Sequence, residues 1–171
     1  MSTITVRPAL SEDALALAML LSEMDEAEIG KQGAPRDHSR DASLTREILG
    51  SMGNYPDFRA YLALDAAGVP VGTFSLFLFK SLAHRGAQQA LLDAVVVTRS
   101  LRGSGIGRAM LERAVQIASA AGCYKLSLSS NLKRVDAHRF YARLGFVQHG
   151  ISLSLPLGGE DAHQTAAGCL D

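Results

Sequence analysis

This chain of 171 residues lacks most of the features that would take it out of the class of ordinary folded domains. It has only two cysteines, and they fall in unlike settings. Cys123 opens a predicted core strand and Cys169 lies near the end, so core packing suits Cys123 better than a disulfide or a metal site. It has no net charge, with 17 Lys and Arg against 17 Asp and Glu. That balance argues against a nucleic-acid partner, which would demand a basic surface, and it makes any selectivity for charged substrates a local matter. No apolar run approaches the roughly 18 residues of a membrane span, and the N-terminus has neither a charged n-region nor a cleavage site. A cytoplasmic location without a membrane partner is expected. His38, His84 and His149 are scattered without ligand spacing, so no metal is expected. There are no repeats and no low-complexity blocks.

What is present suits one domain. The hydrophobic fraction is 47% and the charged fraction 20%, and a chain of this length buries about 70% of its unfolded surface. The pattern predicts a strand over 3–8, then a helix with Ser11 as its N-cap, acids at Glu12 and Asp13, and an apolar stripe of Leu15, Leu17, Leu20, Leu21 and Met24. A loop over 30–40 leads to a second helix over 43–49, ended by Gly50 and Gly53. A hairpin follows, with strands over 58–64 and 69–79, then a loop over 82–86 and a long strand over 89–97. Beyond it come a helix over 105–121, a strand over 124–130, a helix over 134–144 and a closing strand over 146–155. The order β-α-α-β-β-β-α-β-α-β predicts an α/β (α+β) fold: a mixed, mostly antiparallel sheet of six to seven strands with helices on both faces. The domain is expected over 1–157, with a flexible tail over 158–171.

The most informative stretch is 91–110, where an apolar strand runs into a glycine-rich turn that opens onto an amphipathic helix. Gly103, Gly105 and Gly107 permit a tight bend and close approach. The helix N-terminus offers unpaired N–H groups and the positive end of its dipole, and Arg102 and Arg108 flank the turn with charge. A phosphate-bearing ligand at 103–108 fits, although glycines in a strand-to-helix turn can serve geometry alone. No Lys-Ser/Thr pair follows, which excludes a Walker loop. The glycines are spaced Gly-x-Gly-x-Gly, and no acid lies about 20 residues on, which excludes the dinucleotide fingerprint.

The spacing Arg-x-x-Gly-x-Gly at Arg102, Gly105 and Gly107 resembles the pyrophosphate motif of the GNAT superfamily of acetyl-CoA-dependent N-acetyltransferases. A second signature agrees: Phe140-Tyr141 followed by Leu144-Gly145-Phe146. The resemblance covers about 3–157 and is strongest over 90–147, and the element order is that of the family. It implies acetyl-CoA as cosubstrate, held by Val95, Val96 and Val97 through their backbone and by Arg102, Gly103, Ser104, Gly105, Ile106, Gly107 and Arg108. Asn131, Arg134, Ala137 and Phe140 are further cofactor-side candidates. Many members carry Asn where this chain has Arg134, and Asn131 lies three residues earlier. The segment from Asn131 to Tyr141 looks like that of bacterial aminoalkylphosphonate N-acetyltransferases; capping or surface roles for Asn131 and Arg134 stand beside that likeness.

By the same resemblance Tyr141 is the candidate acid that protonates the departing CoA sulfur, whereas a Phe-Tyr pair on an amphipathic helix otherwise reads as core. Asp93 is the candidate proton acceptor. It is the only charge in 90–97, placed by alternation on the face of Leu91, Val95 and Val97, where an acid at an open sheet end is the alternative. Family members often carry Glu there, acting through water. The implied reaction is direct attack by a small primary amine in a ternary complex, since no cysteine falls at a motif position. An acyl-CoA-binding sensor of the same fold and a protein or peptide N-acetyltransferase are the alternatives. The acceptor is expected near the first two helices and the loops over 30–40 and 82–86, where Arg36, His38, Arg40, His84 and Arg85 could meet an acidic group. A homodimer is common among relatives.

Overall fold

The computed structural model describes residues 4–29, 38–155 and 157. They fall into two compact units, one up to Ser129 and one from Ser130 on. The first carries β1 (Thr5–Pro8), α1 (Ala14–Ile29), α2 (His38–Met52), β2 (Phe58–Leu64), β3 (Pro70–Lys80), β4 (Gln88–Val97), α3 (Ile106–Ala120) and β5 (Leu126–Leu128). The second carries α4 (Val135–Arg143). No helix among the described residues is long and apolar enough to cross a membrane.

The five strands form one sheet in the order β1-β2-β3-β4-β5, antiparallel except for the parallel pair β4 and β5. Directly paired residues share a face, so the register separates the two sides. Leu62 pairs with Thr73 and Thr73 with Val96, and on this side Leu17 and Leu20 of α1 pack with Leu62 and Val96. On the other side lie Gly72, Phe74 and Leu76, with α3 against them. Gly72 explains how close α3 comes: a Cβ there would stand 2.6 Å from Met110 Sδ and 2.8 Å from the Val96 carbonyl oxygen. Helices thus cover both faces, as expected.

Several expectations shift. The sheet has five strands among the described residues rather than six to seven, because 146–155 forms none. Ile151, Leu153 and Leu155 alternate as a strand would, yet they are 85%, 90% and 81% exposed. Alternation marks a segment suited to a pleated surface, but a strand exists only by its ladder. Leu15 is exposed, outside the buried stripe of Leu17 and Leu20. Ser11 is not the cap of α1. It begins a 3-10 turn in which Asp13 reaches back to accept the Leu10 N–H at 2.8 Å. The same carboxylate takes two hydrogen bonds from the Arg7 guanidinium, at 2.6 and 2.8 Å. These bonds hold the Asp13 carboxyl below the usual range. The second helix starts earlier than expected and runs through Gly50 to Met52.

Candidate functional site

The site grows from an irregularity in β4. Ser75 pairs with Asp93 but Thr73 pairs with Val96, so two steps of β3 oppose three steps of β4. The extra residue is accommodated by Ala94 at φ +51°, a left-handed conformation that costs a non-glycine residue energy. A bulge reverses the alternation beyond it. Asp93 therefore shares its face with Leu91 and Val96, and not with Val95 and Val97 as simple alternation predicts. Asp93 is exposed, so it is not a carboxylate within a buried strand.

Beyond the bulge, β4 also loses a neighbour. Its parallel ladder with β5 covers only Ala90, Leu91 and Leu92, while β4 continues to Val97 beside β3. Among the described residues, the backbone of 93–97 thus has no ladder on the side that β5 has left. Peptide groups on such an edge can pair with an extended ligand as they would with a strand.

At the end of β4 a 3-10 turn over Arg99–Leu101 leads to the glycines. Gly103 has φ +83° and Gly105 φ +94°, both in the region that favours glycine. Apart from the adjoining residues, no described heavy atom lies within 4 Å of where a side chain would begin at either position. The bend is open. Gly107 is already inside α3, which starts at Ile106 with Gly105 as its N-cap. No side chain caps this helix and its first turn has no acidic residue, so the N–H groups of Ile106, Gly107 and Arg108 carry the orphan donors of a helix start. Ser104 is turned into the bend, its hydroxyl donating to the Leu101 carbonyl at 2.6 Å.

The two arginines are more engaged than their position in the sequence suggests. Arg108 Nε donates to Glu112 Oε1 at 2.8 Å along the exposed side of α3. Arg102 Nε donates to the Val97 carbonyl at 3.0 Å, and its other end lies 3.5 Å from Glu23 Oε2. Glu23 belongs to α1 and was not among the expected site residues. It also accepts from the Thr98 hydroxyl at 2.8 Å and the Arg99 N–H at 2.5 Å. A residue 75 positions before its partner leaves no local signal in the sequence.

The second unit holds the other candidates. Tyr141 is 9% exposed on α4. Its ring meets Phe140 at 5.3 Å and Phe146 edge-on at 5.7 Å. Gly145, at φ +89°, turns the chain after α4 so that the Phe146 N–H donates to the Tyr141 carbonyl at 3.1 Å. The Leu-Gly-Phe signature thus has a physical purpose: it folds Phe146 back onto the tyrosine ring. Asn131 Oδ1 accepts the Lys133 N–H at 2.9 Å, a local turn bond, and Arg134 is the N-cap residue of α4. Ala137, His138 and Phe140 are half-buried on the same helix.

Of the acceptor-side candidates, Arg36 lies outside the described residues, and His38 and Arg40 fall in the first turn of α2. His84 and Arg85 lie in the turn between β3 and β4 with φ of +53° and +59°, and the His84 ring lies 5.5 Å from that of Tyr124. Burial pushes the Cys123 thiol up, the opposite of what activates a nucleophile.

The chain is similar to known acetyltransferases. The sequence matches the Acetyltransferase (GNAT) family over residues 22–146. It is 34% identical over 143 residues to an aminoalkylphosphonate N-acetyltransferase of Salmonella typhimurium, covering 84% of each chain. It is 32% identical over 85 residues to a probable glucosamine 6-phosphate N-acetyltransferase 2 of Oryza sativa subsp. japonica, over 50% of this chain and 49% of that one. The chain therefore spans about half the length of this second relative. Among solved structures, a transcriptional regulator from Bacillus halodurans C-125 matches with a TM-score of 0.74 at 21% identity, over 90% of this chain and 100% of that one. That likeness is one of fold.

Proposed function

The chain belongs to the acetyltransferase (GNAT) family, and from that premise we propose that it transfers the acetyl group of acetyl-CoA to a primary amine of a small molecule, by direct attack in a ternary complex. The observation that carries this reading is the open glycine bend at the start of α3, reached from a strand whose ladder with β5 has already ended. Such a pair of features suits a ligand with a diphosphate at one end and an extended, amide-bearing arm at the other. The orphan N–H groups of Ile106, Gly107 and Arg108 would take the diphosphate. The backbone of Val95, Val96 and Val97 would take the arm.

In this reading Tyr141 donates a proton to the thiolate that leaves. A phenolic hydroxyl carries a proton that it can donate to the sulfur. The attacking amine must be neutral, although an alkylamine of pKa near about 10.4 is mostly charged at neutral pH. Asp93 is the group we assign to accept its proton, through water given the shortness of the side chain. Help of this kind is worth about 10²–10⁴ in rate. The relatives' names point to amines that carry a phosphate or phosphonate, and an acceptor of that class is our proposal for this chain. A cytoplasmic enzyme, free of nucleic-acid and membrane partners and able to form a homodimer, completes the reading.

The test joins calorimetry with CoA to a thiol-release assay over a panel of aminoalkylphosphonates, amino-sugar phosphates, uncharged amines and peptides. Binding with turnover on small amines is the expected outcome. Binding without thiol release on any amine would make the protein a sensor, and turnover only on peptides would move it to the protein-directed class. Absence of heat with CoA would end the proposal.

A further inference from the structure

We propose that Glu23 is a positioning residue for the diphosphate grip, and that it ties the turn after β4 to helix α1. This deepens the reading of the 103–108 bend as a diphosphate site and rests on it. One carboxylate, 25% exposed, gathers three groups of the same turn: the Thr98 hydroxyl, the Arg99 N–H and the Arg102 guanidinium. Each has a defined place in the path from β4 to the glycines. Thr98 ends the strand, its N–H donating to the Val71 carbonyl at 2.9 Å. Arg99 opens the 3-10 turn, and the Arg102 N–H closes it on the Arg99 carbonyl at 3.3 Å. Glu23 therefore fixes where the turn starts, and so where Gly103 and Gly105 stand relative to β4.

The division of donors supports this role. Glu23 takes the N–H at the strand side of the turn, while the first turn of α3 holds no acidic residue. A carboxylate placed at the helix start would compete with an anionic ligand; placed at Arg99 it shapes the approach without occupying the grip. It also sets Arg102, whose Nε is fixed on the Val97 carbonyl. With Glu23 at its other end, the guanidinium is tethered at two points, the end of β4 and α1. Glu23 is on α1, six residues before Ile29, and α1 is one of the helices expected to meet the acceptor. Coenzyme binding and the placement of α1 are thus coupled through one side chain.

The experiment measures the Kd for CoA by calorimetry, and the KM for acetyl-CoA and kcat by thiol release, in wild type, Glu23→Gln, Glu23→Ala, Arg102→Ala and the double variant Glu23→Ala/Arg102→Ala. Charge-assisted hydrogen bonds to backbone and guanidinium groups lead us to expect Glu23→Ala to raise Kd and KM by about tenfold, with kcat changing by less than about threefold. Glu23→Gln keeps an oxygen acceptor and most of the shape, and should rise by about threefold. The effects of Glu23→Ala and Arg102→Ala should fall short of multiplying, since the pair shares a contact. Unchanged CoA affinity in both Glu23 variants, with wild type binding normally, overturns the proposal and leaves the diphosphate reading intact. So does a loss of thermal stability without a change in Kd or KM. If wild type itself gives no heat with CoA, the underlying reading falls and takes this one with it.

Discussion

Gly105→Ala separates the two reasons for a glycine in this turn. Gly105 sits at φ +94°, ψ −7°, as the N-cap of α3. An alanine Cβ there meets no described atom within 4 Å beyond the adjoining residues, so no clash opposes it among them. The stability cost is then that of the left-handed conformation, about 1–2 kcal/mol. For a chain of this size that lowers Tm by about 2–8 °C. Gly68, in the turn between β2 and β3, provides a matched control. It has φ +80° and equally open surroundings, and Gly68→Ala should cost a similar amount of stability. The two variants part only at the ligand. If a diphosphate fills the space in front of Gly105, the added methyl displaces it, and losing even two charge-assisted hydrogen bonds at about 1.5 kcal/mol each weakens CoA by more than about 100-fold. Scanning calorimetry and titration calorimetry on both variants check this. Equal CoA affinity in wild type, Gly68→Ala and Gly105→Ala would show that Gly105 serves only the bend, and the assignment of the grip would be refuted.

Tyr141→Phe should lower kcat by about 10²-fold or more with little change in CoA affinity, and equal turnover would remove Tyr141 from the chemistry. Arg108→Gln should change CoA affinity by less than about threefold, because its guanidinium is engaged by Glu112 on an exposed helix side; a loss above tenfold would restore a direct ionic role. Gly72→Ala should destabilise by about 1–3 kcal/mol in chemical denaturation, since its Cβ would meet the Val96 carbonyl oxygen and not only the mobile Met110 tip; an unchanged midpoint would show that α3 gives way freely. Asp13 has a depressed folded pKa, so its stabilising bonds to Arg7 and Leu10 are present above the unfolded value near about 3.9 and vanish as pH falls through the folded one. Asp13→Asn should therefore lower stability at neutral pH by about 1–3 kcal/mol, and the gap to wild type should close in acid; a gap independent of pH would refute the ionic origin.

Local chemistry was legible and long-range pairing was not. Gly103 and Gly105 could be read because a positive φ is a property of one residue, and both prove to have it, whereas Gly107, expected in the same bend, lies inside α3. The hairpin of β2 and β3 could be read because Asp65 and Gly68 close it within five residues, with Asp65 Oδ1 accepting the N–H groups of Ala67 and Val69. The face of Asp93 could not, because the bulge is a mismatch between two strands: Ala94 looks like any alanine until Ser75 and Thr73 are set beside it. The same holds for the expected closing strand, where Ile151, Leu153 and Leu155 have the right period and no ladder. Asp13 shows an intermediate case. Its place in a first turn was visible, but its partner Arg7 comes from the preceding strand.

The charges around the bend favour backbone donors for the grip we propose. Each flanking arginine has a carboxylate beside it, Glu23 for Arg102 and Glu112 for Arg108. These four side chains sum to zero, as does the chain. The uncapped start of α3 adds positive potential equivalent to about half an elementary charge, fixed in direction by the helix. A dipole of that kind attracts an anion only at close range, and close range requires that no side chain stand in front of it. Gly103 and Gly105 meet that requirement together with the bend itself. Selectivity for a diphosphate over other anions would then come from the spacing of N–H groups around the turn, which Glu23 sets from one end and the first turn of α3 from the other.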